Sequence, residues 1–570
     1  MKNMMKKIGW MLIGIIVTLP SWAQVAIPEP EDPAPASQTC WQTVSKAVVG
    51  WGSTDVRYLR SEVATGLKKS IALRAWKGER VSAQAVISTP VDIEKLTFTV
   101  SDLKGGAGKR IAAADVTKYF VRYVIADTPA DLSAAQLQPD LLSPDTEMAV
   151  AAATTRPLWL DIHVPATAKP GKYTGQLTIA YDGKQSVLPF TVEVIDRTLP
   201  EPSEWAFHLD LWQNPYAVAR FFDVPLWSQQ HFDKMRPLME RLAAAGQKVI
   251  TCSVIQHPWN GQTYDPFESM IAKMKQVDGS WKYDYTVFDR WVEFMMSCGI
   301  TEQIDCYTIV PWHYQFEYYD CATNTLKTLA CHPGEQAYHD FLLPFLTDLA
   351  AHLKAKGWFE KTCISMDERP LDQLEEAWKV VKEADKDYRF EGAACFDVAP
   401  GSFGDRMYDL SIDYGHQIHQ GADLERRLAN GQVLTFYTCC GPARPNTFIY
   451  SKPAESVYLP WHAAAINYCG YLRWAYCSFP PQPVVDTRFG PWHCGDTFLT
   501  YPEGSSIRFE RLTEGIQDYE KIRILRQTVS PAKMARFDKV LAKFSHNVMA
   551  DDFDVDALVR EGKAALRAIE

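Results

Sequence analysis

The chain has 570 residues, with 59 Lys+Arg against 69 Asp+Glu and a formal charge of -10. With 47% hydrophobic and 22% charged residues it is globular rather than disordered or collagen-like, and its length implies roughly two to four domains. The negative balance speaks against nucleic acid, whose phosphates select basic faces.

Lys2, Lys6 and Lys7 precede an apolar run over 8–19 and then Ser21-Trp22-Ala23, the pattern of a cleaved secretory signal peptide over residues 1–23. That run is too short to cross a bilayer comfortably, and no second long one follows, so no membrane span is expected. Cleavage would remove three lysines and take the formal charge from -10 to -13. Gln24 follows the cut, not the cysteine of a lipid anchor, so an exported protein, periplasmic or extracellular, is expected. Residues 24–39 are rich in proline, acid and alanine and read as an extended spacer.

Over 40–199, short alternating runs separated by turn residues predict an all-β sandwich, with strands near 70–76, 81–88, 95–101, 118–125, 158–164, 173–181 and 187–195. The glycine-rich stretch 104–108 reads as a hairpin loop, since a phosphate loop needs a following helix and a Lys-Ser/Thr pair. After Pro202 the rhythm changes. Apolar runs at 205–212, 248–256, 303–312, 362–368, 390–397, 408–414, 433–440 and 471–478 mostly alternate with amphipathic stretches at 229–245, 285–297, 335–356, 371–384, 422–430 and 457–467. Eight such alternations predict a (β/α)8 barrel over 200–506, with a short, irregular fifth connection at 398–407. A doubly wound sheet competes less well, because no GxGxxG opens a helix after the first strand. Helical stretches at 507–528, 531–544 and 555–568 read as a C-terminal helical cap over 507–570.

None of the 13 cysteines shows zinc-site spacing, so no metal or cofactor is implied. Several (Cys252, Cys306, Cys363, Cys395, Cys439, Cys477) fall in strand-like runs and read as buried thiols. Cys321 and Cys331 bracket a polar loop and form the best candidate disulfide, while Cys439 and Cys440 are expected on opposite faces of a strand.

Barrel enzymes carry their chemistry at the C-terminal ends of the strands. Those ends hold Asp210, Trp212, Trp312, His313, Asp367, Glu368, Tyr437 and Trp474, a mixture of polar and aromatic groups suited to sugars. The sharpest feature is Asp367-Glu368 after the fourth strand, where a charged Asp367 would raise the pKa of Glu368 and keep it protonated as a general acid. Helix capping by Asp367 beside a solvated Glu368 is the structural alternative. His208 reads as a satisfied barrel histidine and Arg508 as a structural ion-pair partner.

The segments SMDERP (365–370), AHLKAKGWFEK (351–361), SSIRFERLTEGIQDYE (505–520) and PLWLDIHVPATAKPGKYTG (157–175) resemble glycoside hydrolase family 123 over nearly the whole mature chain. The resemblance implies a β-sandwich ahead of a catalytic barrel, and an exo-acting β-N-acetylgalactosaminidase that retains configuration by using the substrate's 2-acetamido group as nucleophile. Glu368 would then be the general acid/base, and Asp367 would orient the acetamido group. Tyr437 would reach the acetamido oxygen and Trp474 would floor the sugar, with Asp210, Trp212, Trp312 and His313 as further contacts. The implied substrate is a glycan on a glycosphingolipid or glycoprotein. A β-N-acetylglucosaminidase on the same barrel and a non-catalytic glycan-binding protein stay open as alternatives.

Overall fold

The computed structural model describes residues 27–33, 38–416, 421–546 and 549–570. The signal peptide assigned to 1–23 lies outside them, as do residues 24–26 and 34–37 of the 24–39 spacer.

The N-terminal region is built on two sheets. One runs Val48–Trp51, Arg80–Thr89, Thr154–His163, Val116–Thr128, Asp131–Ser143 and Ser505–Ser506 in spatial order. The path of the other is Ile71–Lys77, Lys184–Thr198, Gly171–Tyr181, Ile93–Val100 and Met148–Val150. Period-two alternation turns Tyr173, Leu177 and Ile179 inward, against a core that includes Phe98 edge-on to Phe120 at 4.9 Å. The glycine-rich stretch is a hairpin, Gly106–Gly108 joining Leu103–Gly105 to Arg110–Ile111. Asp131–Ser143 escapes the sequence pattern because its first half mixes polar and small apolar residues and is exposed or half-buried.

Eight parallel strands follow: β1 (His208–Leu211), β2 (Val249–Ser253), β3 (Gln303–Tyr307), β4 (Thr362–Met366), β5 (Arg389–Ala393), β6 (Asp409–Asp413), β7 (Val433–Tyr437) and β8 (Gly470–Arg473). Each falls inside or within a residue of an apolar run. They pair in the order β1-β8-β7-β6-β5-β4-β3-β2. The seam between β1 and β2 is closed by one bridge, Leu209 to Gln247, and by the Gln247 amide. That amide accepts from Leu211 N at 3.0 Å and donates to Val249 O at 2.8 Å, standing in for ladder bonds.

The helices Gln229–Ala243, Thr286–Ser297, Gln336–Lys356, Leu371–Ala384, Ala422–Ala429 and Pro453–Ile466 match the amphipathic stretches. The fifth connection holds only the short turn Gly404–Arg406. The helix Pro215–Phe222, capped by Asn214, is only eight residues long, five of them buried, and is not among the elements expected from the sequence. A separate four-stranded sheet, Trp281–Asp284, Ala272–Lys275, Gln315–Asp320 and Thr325–Ala330, is inserted among the connections.

That inserted sheet overturns the Cys321–Cys331 bridge. Gln315–Asp320 and Thr325–Ala330 form a hairpin pairing Asp320 with Thr325 and Gln315 with Ala330. The two cysteines therefore stand just beyond opposite ends of a six-residue ladder, roughly 24 Å apart at 3.4 Å per residue; both are free thiols.

Helix α8 (Ile507–Thr528) follows β8 and packs along Pro453–Ile466. Glu520 accepts from Phe207 N at 2.8 Å just before β1, and Tyr519 donates to Tyr468 O just before β8. The other face of α8 meets the sandwich through Arg80–Glu510 at 3.0 Å, Lys521–Glu79 and Arg511–Asp55. Arg508 bonds Asp140 of the sandwich at 2.9 Å and three backbone carbonyls, the structural role expected of it. Helices Pro531–Leu541 and Val555–Ile569 pack beside Pro453–Ile466. No helix among the described residues is long and apolar enough to cross a membrane.

Candidate active site

The strands end together on one face of the barrel, and the loops beyond them enclose a cleft of about 160 Å³. Its walls are Trp212 after β1, Trp259 after β2, Trp312 after β3, Asp367 and Glu368 after β4, Tyr437 at the end of β7, and Trp474 after β8. Trp492 and Asp496, from the long loop before α8, complete it with Gln262, Cys439 and Cys440. Five tryptophans thus meet three carboxylates.

Asp367 continues the inward parity of β4 and is 8% exposed, whereas Glu368 turns outward and is exposed. Burial, reinforced by the neighbouring Glu368 charge, pushes the Asp367 carboxyl up to about 6. The Trp312 indole, donating to Asp367 Oδ2 at 2.7 Å, and the Glu368 backbone N–H pull the other way. Burial thus falls on Asp367, not on the residue expected to be the acid. Glu368 Oε1 accepts from the Tyr437 hydroxyl, whose own pKa is raised by burial and by that carboxylate. Arg369 lies over the Trp312 ring at 4.6 Å and so steadies the donor to Asp367.

On the opposite wall the Trp474 indole donates to Asp496 Oδ1 at 2.9 Å. Asp496 is fully buried and paired with Arg473 at 2.9 Å, and the Arg473 guanidinium is itself 0% exposed. Trp492 meets the Trp474 ring edge-on at 5.5 Å. Trp212 stacks on Trp259 at 5.0 Å and donates to Asp210 Oδ2 at 3.1 Å.

Of the residues singled out in the sequence, Trp212, Trp312, Asp367, Glu368, Tyr437 and Trp474 converge on the cleft. Asp210 lies beneath it in the barrel interior, 2% exposed. His313 stands outside it, its Nδ1 accepting from Gln315 N at 3.0 Å and its ring facing His257. His208 pairs with Asp409 at 2.9 Å, as expected of a barrel histidine. Cys439 and Cys440 do not take opposite faces, because β7 ends at Tyr437; their sulfurs lie 3.7 Å apart in the cleft wall. Cys395 is exposed, against the buried position expected of it. Trp259 was legible as an aromatic at the mouth of the second strand. Trp492 and Asp496 sit in a loop without periodicity, and no pattern marks them.

Fold and cleft together define a glycosidase on a (β/α)8 barrel with an N-terminal β-sandwich. Residues 212–525 match the glycoside hydrolase 123 catalytic domain, and residues 51–181 match the glycoside hydrolase 123 N-terminal domain. The chain belongs to glycoside hydrolase family 123. A family 123 glycoside hydrolase from Clostridium perfringens, whose structure was solved to follow glycolipid glycan hydrolysis, superposes with a TM-score of 0.83 at 25% identity, covering 92% of this chain and 97% of that one. β-Glucuronidase 3 from Bacteroides uniformis reaches a TM-score of only 0.28 at 10% identity, over 78% of this chain and 50% of that one. No curated protein matches the chain.

Proposed function

We propose that the protein is an exo-acting β-N-acetylgalactosaminidase that works with retention through the substrate's own acetamido group. One observation carries this: the cleft's two carboxylates that no cation among the described residues pairs with, Asp367 and Glu368, are neighbours in sequence on one strand end. A protein-nucleophile retaining enzyme sets two carboxyl groups about 5–5.5 Å apart across the bond. Among the described residues the remaining carboxylate on the cleft is Asp496, already committed to Arg473 and Trp474. A nucleophile supplied by the sugar removes the need for a partner across the bond. Glu368, reachable from solvent and bonded to Tyr437, would protonate the glycosidic oxygen and then take a proton from water. Asp367, once ionised, would accept the acetamido N–H and offset the positive charge of the cyclic intermediate. Trp474, fixed at its indole nitrogen, would stack on the sugar's apolar face. The cleft is smaller than the ~300–1,000 Å³ that holds drug-sized ligands, which favours one terminal sugar over an internal stretch of chain.

The test is hydrolysis of p-nitrophenyl β-N-acetylgalactosaminide against the β-N-acetylglucosaminide. We expect the first to be preferred, Glu368→Gln to lose ~10²–10⁴-fold in kcat, and a thiazoline mimic of the intermediate to inhibit. Cleavage of the glucosaminide alone would move the reading to an N-acetylglucosaminidase. An active enzyme untouched by the thiazoline would point to a protein nucleophile, and sugar binding without any turnover to a lectin. Export belongs to the same proposal, and Edman sequencing of the mature protein is expected to begin at Gln24.

A further inference from the structure

Beneath the cleft the barrel interior is polar where such barrels usually hold layers of branched apolar side chains. Asp210 on β1, Asp305 on β3 and Glu391 on β5 bring one carboxylate oxygen each to within 4.8 Å of the others, all three buried. Asp210 Oδ1, Asp305 Oδ2 and both Glu391 oxygens lack a hydrogen-bond partner. The wholly buried Tyr307 hydroxyl makes no well-formed hydrogen bond but lies in side-chain contact with Glu391 and close to the two aspartates. The buried Ser365 hydroxyl, on the β4 residue registered with Glu391, is a further orphan. Among the described residues no lysine or arginine pairs with these three carboxylates, and the nearby imidazole of His208 is committed to Asp409.

Orphaned carboxylates in a protein interior are expensive, and each needs either a proton or a cation. A protonated carboxyl would still need an acceptor for its O–H, whereas a cation satisfies several oxygens at once.

We propose that Asp210, Asp305 and Glu391 form an internal site for a hard divalent cation of the calcium type, with the Tyr307 hydroxyl and water completing its shell. Three oxygens mutually within 4.8 Å share a point no more than about 2.8 Å from each, close to the ~2.3–2.6 Å of calcium–oxygen contacts. An all-oxygen donor set selects calcium or magnesium over zinc or copper. The ion would hold Asp210, whose other oxygen receives the Trp212 indole at 3.1 Å, and so pin the cleft floor from below. The site does not depend on which sugar the cleft takes.

Protein purified without chelator is analysed for metals by plasma mass spectrometry. It is also refolded with terbium and excited at its tryptophans, because Trp212, Trp259 and Tyr307 form one aromatic cluster beside the site and sensitise emission. We expect calcium or terbium in stoichiometric amount, a thermal midpoint that rises when refolding includes calcium, and terbium affinity reduced by at least ~10-fold in Glu391→Gln. Three results together would overturn the site: no bound divalent metal, no sensitised emission, and the same midpoint after refolding with and without calcium. A Glu391→Gln variant as stable as wild type would then leave protons on the trio. If that variant does not fold, the wild-type refolding comparison decides alone.

Discussion

Replacing Asp367 by asparagine isolates the energetic consequence of burying a carboxylate in the cleft. The folded carboxyl titrates at about 6 against an ordinary 3.8, a difference worth about 3 kcal/mol at 1.36 kcal/mol per tenfold. The sign follows from proton counting. Between these two values the folded state holds the proton and the unfolded chain releases it, so stability falls as pH rises through that window and is level above it. Asparagine does not titrate, yet its amide oxygen can still accept from Trp312. Urea unfolding of wild type and Asp367→Asn, followed by tryptophan fluorescence from pH 4 to 8, is therefore expected to diverge. The variant gains about 2–3 kcal/mol relative to wild type over that span, while losing activity. A fixed penalty of the amide cancels, because the measured quantity is the change with pH. A difference that stays flat, or that moves toward wild type as pH rises, would refute a buried, disfavoured carboxylate.

The same titration sets an acid limb for catalysis: kcat/KM of the wild type is expected to fall below pH about 6 as Asp367 takes its proton, and Asp367→Asn should lack that limb. Tyr437→Phe removes the hydroxyl bonded to Glu368 and is expected to lower kcat by ~10-fold with little change in KM, measured by steady-state kinetics. Trp474→Ala should act in the opposite way, raising KM by ~10-fold through lost apolar contact at about 1–2 kcal/mol. Arg508→Met removes one of the two guanidinium partners of Asp140, Arg57 staying at 3.2 Å, and leaves three backbone carbonyls without their donor; it is expected to destabilise the fold by ~1–3 kcal/mol, read as a lower thermal midpoint.

The barrel was legible because parallel strands buried on both faces read as unbroken apolar runs, and 362–368 ends in the acid pair itself. Period two also bears on Asp210: His208 and Asp210 share the inward parity of β1, which sets Asp210 a layer below Trp212. Parity alone does not say how deep in a barrel an inward residue lies, so Asp210 read as a rim residue. The helix Pro215–Phe222 and the inserted sheet were lost for different reasons. The helix is short and largely buried, and the hairpin strands sit inside a connection where polar turns masked their alternation. Trp492 and Asp496 reach the cleft only through the path of a loop. Which of two adjacent acids is buried follows from the β4 parity and the turn after it, and composition cannot report it.

Helix α8 occupies the eighth helical position of the barrel while its charged side chains are neutralised by partners from the sandwich, and Ser505–Ser506 just ahead of it adds an edge strand to the sandwich sheet. Neither part is therefore a transferable module. Excising the first 200 residues would strand Arg508 without Asp140 and Glu510 without Arg80, and would take one of two acidic partners from Arg511 and Lys521, so the barrel is not a cassette that recombination can move to another gene by itself. The two regions are therefore expected to melt as one cooperative unit.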